Sequence, residues 1–183
     1  EIFGVEYGGE KVVMFAGKLA NFKGIDILLR AAAKYENEEP KTITLIAGDG
    51  DERDKLHSLA KELELKTVHF LGNVDQKTLA KLYNIGDVSL VPSRREPFGL
   101  VAIEAMACGT PVIASNQGGL PDFVNDDVGR LVTPEDPDDL ADADVQILKR
   151  TDEQEGWREE IAAYAKNNYS QDAIISELEE LYL

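Results

Sequence analysis

Three segments of the chain carry residue types that chemistry uses. The first, Gly17-Lys18-Leu19-Ala20-Asn21-Phe22-Lys23-Gly24, holds two lysines five residues apart in a glycine-bounded loop. Where a helix opens after such a loop, the ammonium groups and the free amides of the helix start all favour negative charge, as in a diphosphate. Solvated lysines in a surface loop account for the same residues equally well. The second segment runs from Pro92 through Ser93-Arg94-Arg95-Glu96-Pro97-Phe98-Gly99-Leu100-Val101 to Glu104. Gly99 has no Cβ, so a ligand can approach the first-turn amides of Gly99, Leu100 and Val101, which lack partners inside a helix. Glu96 precedes that helix and Glu104 falls about a turn and a half into it, which places the two carboxylates within roughly 10 Å along the axis. Near an anion site their natural use is to accept hydrogen bonds from sugar hydroxyls. Taken singly, Glu104 reads more simply as a helix-face charge and Glu96 as a partner of the helix dipole. The third segment, Asn116-Gln117-Gly118-Gly119-Leu120-Pro121-Asp122, and the shorter Gly48-Asp49-Gly50 fit plain turn chemistry as readily as ligand approach.

The elements that must position these loops alternate. Short β-rich apolar runs predict strands over 12–16, 42–47, 68–71, 88–91, 112–114 and 130–132. Helical patterns predict helices over 24–35, 51–63, 76–85, 99–108, 121–124 and 137–149. That alternation predicts an α/β fold, a doubly wound, mainly parallel six-stranded Rossmann-like sheet. In such sheets ligands bind beyond the carboxyl ends of the strands, where the loops above fall. After Arg150 the pattern changes to two helices, 153–168 and 171–182, with Trp157, Tyr164, Tyr169 and Tyr182 as large apolar contacts. We therefore expect a Rossmann-like domain over 1–150 and a helical extension of it over 151–183. One residue breaks the pattern: Asp144 stands where the helical spacing from Leu140 asks for an apolar side chain.

Bulk properties narrow the function classes. The net charge of −16 argues against broad contact with nucleic acid or anionic membrane, since both repel a polyanion. No apolar run approaches the roughly 18 residues that cross a bilayer, and Glu1-Ile2-Phe3 lacks a signal-peptide layout, so a soluble, cytoplasmic domain is expected. The first residue is not methionine, which leads us to expect a piece of a longer protein. Cys108 is the single cysteine and is expected to be a buried structural thiol. His57 and His69 stand alone, without ligand spacing, so no metal site is expected, and His57 is expected to be solvated. Neither a G-x-G-x-x-G after the first strand nor a P-loop lysine pattern occurs, which removes support for nicotinamide dinucleotides and Walker-type ATP binding.

With these segments in hand, the chain resembles the C-terminal domain of the glycogen-synthase-like family of retaining GT-B glycosyltransferases. The resemblance spans nearly all of 11–183. Its specific part is the pair Glu96 and Glu104, seven residues between them, set in Pro-Ser-Arg-Arg-Glu-Pro-Phe-Gly and followed by Glu-Ala-Met-Ala-Cys-Gly-Thr-Pro-Val-Ile-Ala. The loop from Gly17 to Gly24, Gly48-Asp49-Gly50, Phe70-Leu71-Gly72-Asn73-Val74 and Gly118-Gly119-Leu120-Pro121 fall in the family's order and spacing.

The resemblance implies a nucleoside-diphosphate-sugar donor. Gly17, Lys18 and Lys23 would hold its diphosphate, Glu104 the ribose hydroxyls, and Glu96 a hydroxyl of the transferred sugar. Gly48, Gly72, Asn73 and Val74 would lie by the nucleotide, Ser93, Phe98 and Gly99 would line the donor site, and Leu100 and Val101 would offer backbone amides to phosphate. Where the family usually has arginine this chain has Lys18, a point charge in place of a planar fork, and Asp122 stands where glutamate is more frequent. Transfer is implied with retention and without a metal or other cofactor, Lys18 and Lys23 taking up charge on the leaving diphosphate, with Glu96 as the third catalytic residue. The acceptor wall would belong to an N-terminal Rossmann-like domain, so this piece alone is expected to be inactive and to contact neither nucleic acid nor membrane, although the parent protein could be peripheral at a membrane's inner face. Two other readings remain, a GT-B-type sugar-nucleotide epimerase and a nucleotide-sugar-binding module without catalysis.

Overall fold

A computed structural model describes residues 5, 8–36, 41–170, 172 and 173. Six strands form one parallel sheet: β1 (Lys11–Ala16), β2 (Thr42–Ala47), β3 (Val68–Gly72), β4 (Val88–Val91), β5 (Val112–Ser115) and β6 (Gly129–Val132), in the order β3-β2-β1-β4-β5-β6. The order reverses at β1, which pairs with β2 on one side, Lys11 opposite Thr42 through Ala16 opposite Ala47, and with β4 on the other, Val13 opposite Val88. A crevice therefore opens beyond the ends of β1 and β4, because the chain leaves these neighbouring strands toward opposite faces.

Among the described residues six α-helices cover the sheet: α1 (Ile25–Tyr35), α2 (Arg53–Glu62), α3 (Gln76–Ile85), α4 (Leu100–Ala107), α5 (Pro137–Glu153) and α6 (Trp157–Tyr169). α1 packs against α2 and α5, and α4 against α3 and α6. Burial on both faces explains why β1 reads as an unbroken apolar run, with Val12, Val13 and Met14 fully inaccessible. The edge strand β3 is half-buried along its length, and its Phe70 is covered by the ring of His57 at a centroid distance of 4.1 Å. His57 is exposed as expected, but it is a stacked lid on the sheet edge and not free in solvent. Capping follows local chemistry: the Asp75 carboxylate accepts from the Thr78 amide at 2.7 Å to open α3, and Asp136 before Pro137 accepts from the amides of Asp138 and Asp139 to open α5.

Several expectations need correction. α5 continues through Glu153, four residues past its expected end, and α6 starts at Trp157 and not at Glu153. Gln154 turns extended, with φ −104° and ψ 92°, which ends α5. The helix expected over 121–124 is a 3-10 turn at Leu120–Asp122, where the single α-type bond, from the Val124 amide to the Leu120 carbonyl at 2.9 Å, is not continued. Cys108 is half-buried, because it lies at the end of α4 beside an open hollow. The helix expected over 171–182 lies outside the described residues apart from 172 and 173. Asp144 does face the core: it is inaccessible to solvent and neither carboxylate oxygen has a hydrogen-bond partner. Burial, and secondarily the nearby Asp87 carboxylate, push its carboxyl up to about 8.

Among the described residues no helix is long and apolar enough to cross a membrane.

Candidate functional site

The loop leaving β1 and the loop leaving β4 meet at the crevice. The chain turns out of β1 at Gly17 and passes a 3-10 turn at Asn21–Lys23 before Gly24 opens α1 in a left-handed conformation, φ 67°. A Cβ on Gly24 would stand 2.0 Å from the carbonyl oxygen of Pro92, so the two loops touch backbone to backbone at that point. Opposite, the amide of Gly48 donates to the carbonyl of Gly72 at 2.8 Å, and a Cβ on Gly48 would fall 1.8 Å from the Gly17 carbonyl oxygen.

Beside these contacts is an open cleft of about 370 Å³, lined by Gly17, Lys18, Gly48, Asp49, Asn73 and Val74, with Leu79 from α3 closing one side. Five of the residues singled out from sequence thus come together: Gly17, Lys18, Gly48, Asn73 and Val74. Gly72 ends β3 directly beside them. Lys18 is more than half exposed and makes a long ion pair of 3.8 Å with the exposed Asp51, which leaves its ammonium accessible to an anion.

Lys23 does not line this cleft. Its Nζ lies 2.5 Å from Oε2 of Glu96, and both side chains are largely buried. Glu96 is also held from three further directions: the Ser93 hydroxyl donates to Oε2 at 3.3 Å, the Gly99 amide to Oε1 at 3.1 Å, and the Gly119 amide to the Glu96 carbonyl at 3.1 Å. The Gly118-Gly119 turn after β5 is therefore part of the scaffold of Glu96. Burial pushes the Glu96 carboxyl up, but the Lys23 ammonium, the Gly99 amide and the Ser93 hydroxyl outweigh it and hold it below the usual carboxylate range. Oε1 thus serves the start of α4 at Gly99, while Oε2 faces Lys23 and Ser93.

Glu104 stands in different surroundings. It lines a second hollow, of about 220 Å³, between α3 and α4 with Leu79, Tyr83 and Cys108, and Leu79 is shared with the first cleft. It makes no hydrogen bond or ion pair among the described residues, and burial alone raises its carboxyl above the usual range. An acceptor so placed has free lone pairs for hydroxyl donors. Phe98 and Leu100 are 75% and 66% exposed, and the amides of Leu100 and Val101 in the first turn of α4 have no acceptor within the helix. Among the described residues no three His, Cys, Asp or Glu side chains gather as metal ligands would.

Arg94 had no assigned role in the sequence. Its guanidinium grips both oxygens of Asp26 in the first turn of α1, each at 2.8 Å. The two residues are 68 positions apart and share no local pattern, so only the folded chain reveals the pair. Leu79 was missed for the same reason: on α3 it reads as one more apolar face residue.

The family described as Glycosyl transferases group 1 matches residues 3–167 of the chain. An uncharacterized glycosyltransferase of Methanocaldococcus jannaschii is 42% identical over 180 residues, which are 94% of this chain and 45% of that protein. Among solved structures, sucrose-phosphate synthase from Thermosynechococcus elongatus superposes with a TM-score of 0.84 at 36% identity, over 95% of this chain and 45% of the other. HepE from Anabaena, solved in complex with UDP-glucose, gives a TM-score of 0.82 at 29% identity, over 95% and 49%. The chain spans less than half the length of each of these proteins.

Proposed function

The chain belongs to the Glycosyl transferases group 1 family, and from that premise we propose that it is the half of a GT-B glycosyltransferase that binds the nucleoside-diphosphate-sugar donor. The observation that carries this reading is the cleft beyond β1, with the exposed ammonium of Lys18 at its wall, together with a buried Lys23–Glu96 pair that joins the loops after β1 and β4, the strands between which the order reverses. The diphosphate lies against Gly17 and Lys18 and draws in Lys23, with the amides of Leu100 and Val101 as further donors. The base lies toward Gly48, Gly72, Asn73 and Val74, and the ribose hydroxyls toward Glu104. Ser93, Glu96, Phe98 and Gly99 face the sugar, Glu96 accepting from one of its hydroxyls. A uridine diphosphate hexose is the first donor to consider, since the HepE structure holds UDP-glucose.

The chemistry follows from charge. When the bond from the anomeric carbon to the diphosphate oxygen breaks, the electron pair stays on the diphosphate, and Lys18, Lys23 and the α4 amides are fixed cations and dipoles that lower the energy of that charge. No metal enters this account. We further propose that transfer proceeds with retention and that the acceptor is held by protein beyond this chain, so the chain alone binds donor with little or no turnover.

The test is calorimetry of the chain with uridine, guanosine, adenosine and thymidine diphosphates, with a Lys18→Ala/Lys23→Ala double variant beside it. One diphosphate should bind and the double variant should lose it. Ligand at about 100 times its Kd should also raise stability by about 2.7 kcal/mol. Absence of binding by every diphosphate at millimolar concentration would sink the donor reading.

A further inference from the structure

We propose that Arg94 is a positioning residue for the diphosphate-binding lysine, clamping the loop after β1 onto the loop after β4 so that the Lys23 ammonium is delivered to one place; the proposal rests on the donor reading of this site. The clamp is built from both sides of Lys23. Ahead of it in sequence, Nη1 of Arg94 donates to the carbonyl of Asn21 at 2.8 Å, and the amides of Arg94 and Arg95 donate to the carbonyl of Phe22 at 2.8 and 3.2 Å. Behind it, Gly24 is pressed against the Pro92 carbonyl, and the Asp26 carboxylate is gripped by both terminal nitrogens of Arg94. Nε of Arg94 completes the set with the Glu135 carboxylate at 2.6 Å, before α5.

Phe22 and Gly24, on either side of Lys23, are therefore held by the backbone of the β4 loop, and Asn21 and Asp26, further out on each side, are tied to it by three hydrogen bonds from the one guanidinium. A lysine reaches its target through four rotatable carbons and a spherical charge, so its aim depends on where the backbone starts it. Glu96 needs the reverse service: it sits on the same β4 loop, two residues after Arg94. Tying that loop to the Lys23 backbone sets both ends of the 2.5 Å pair at once. Arginine is required for geometric reasons. Only a planar fork can grip both Asp26 oxygens while its remaining hydrogens point at Asn21 and Glu135.

Two readouts of Arg94→Lys, which keeps the charge and removes the fork, separate positioning from plain stabilisation. The first needs no ligand: NMR titration of the Glu96 carboxyl in the whole chain. Loss of aim by Lys23 should move the Glu96 midpoint up toward the ordinary carboxylate range, and Asp26→Asn, which opens the clamp from its other side, should move it the same way. A midpoint unchanged in both variants overturns the proposal. The second is calorimetry with UDP in two backgrounds. Arg94→Lys should weaken UDP about 10-fold when Lys23 is present and less than 2-fold when Lys23→Ala has already removed the ammonium, because residues acting through one another are not additive. An equal loss in both backgrounds marks a general loosening and overturns the proposal. If UDP does not bind the unaltered chain, the calorimetry is run with whichever diphosphate does; if none of the four binds, the donor reading fails, and the Glu96 titration alone then decides whether the clamp aims Lys23.

Discussion

Lys23 and Glu96 form an ion pair of 2.5 Å across the reversal point of the sheet, one from the loop after β1 and the other from the loop after β4. The pair joins a cation suited to phosphate with a carboxylate suited to hydroxyls, and each is held by the other. On the proposed donor reading, binding loosens the pair, trading the Glu96 contact of Lys23 for a phosphate contact.

Removing one partner leaves the other largely buried and unpaired. Glu96→Gln should destabilise the chain by roughly 2–3 kcal/mol at neutral pH, read by urea unfolding. The sign with pH is fixed by the depressed Glu96 pKa: its contribution is present above the ordinary carboxylate range and lost as pH falls through the lower folded value. The gap between the two proteins should therefore close in acid. A gap that stays constant from pH 7 to pH 3 would show that the charge of Glu96 contributes nothing to folding.

Asp144 predicts the opposite slope. Its folded carboxyl titrates at about 8, far above an unfolded aspartate, so between about pH 4 and pH 8 the native chain holds a proton that the unfolded chain has lost. Stability should fall as pH rises across that window and level off above it. Asp144→Asn removes the titration and should flatten the slope, and Asp144→Leu should add a few kcal/mol at pH 8, since no polar group then stays buried without a partner. Parallel melting-temperature curves against pH for the natural chain and Asp144→Asn would contradict this.

Gly48→Ala tests the closeness of the cleft backbone. A methyl there meets the Gly17 carbonyl oxygen at 1.8 Å, at a φ of 142° that side chains rarely adopt. The loop after β1 must shift, at a cost of about 1–3 kcal/mol. UDP binding should fall with it by at least about 10-fold, whereas Gly72→Ala, where the added atom meets nothing within 4 Å, should bear only the backbone strain of its φ of 69°. Equal losses of affinity would refute the steric account.

Trp157 fastens α6 to the body of the chain. It is 1% exposed, donates from Nε1 to the Asp127 carbonyl at 2.6 Å, and carries the Arg150 guanidinium 4.0 Å from its ring centroid. Trp157→Ala should cost about 3–5 kcal/mol, measurable by denaturant midpoint. Because α6 packs on α4, the same variant should also weaken UDP binding more than Trp157→Phe does. Unfolding in two separate transitions, with α6 leaving first, would show instead that the extension is only loosely attached.

Some of this was legible in one dimension. A strand covered on both faces is rich in apolar and β-branched residues, and a helix must repeat its apolar face, so β1 through β6 and α1 through α5 announced themselves in the order they take. The spacing of Glu96 and Glu104 around Gly99 placed one carboxylate at the mouth of α4 and one inside it, because helical rise is fixed by the backbone alone. Local chemistry does not reach further. That Lys18 lines the cleft while Lys23 turns to Glu96, that Arg94 grips Asp26 from 68 residues away, and that Asp144 is sealed without a partner were decided by which surfaces the sheet brought together. Such contacts depend on distances between elements remote in the chain, and spacing along the sequence carries no information about them.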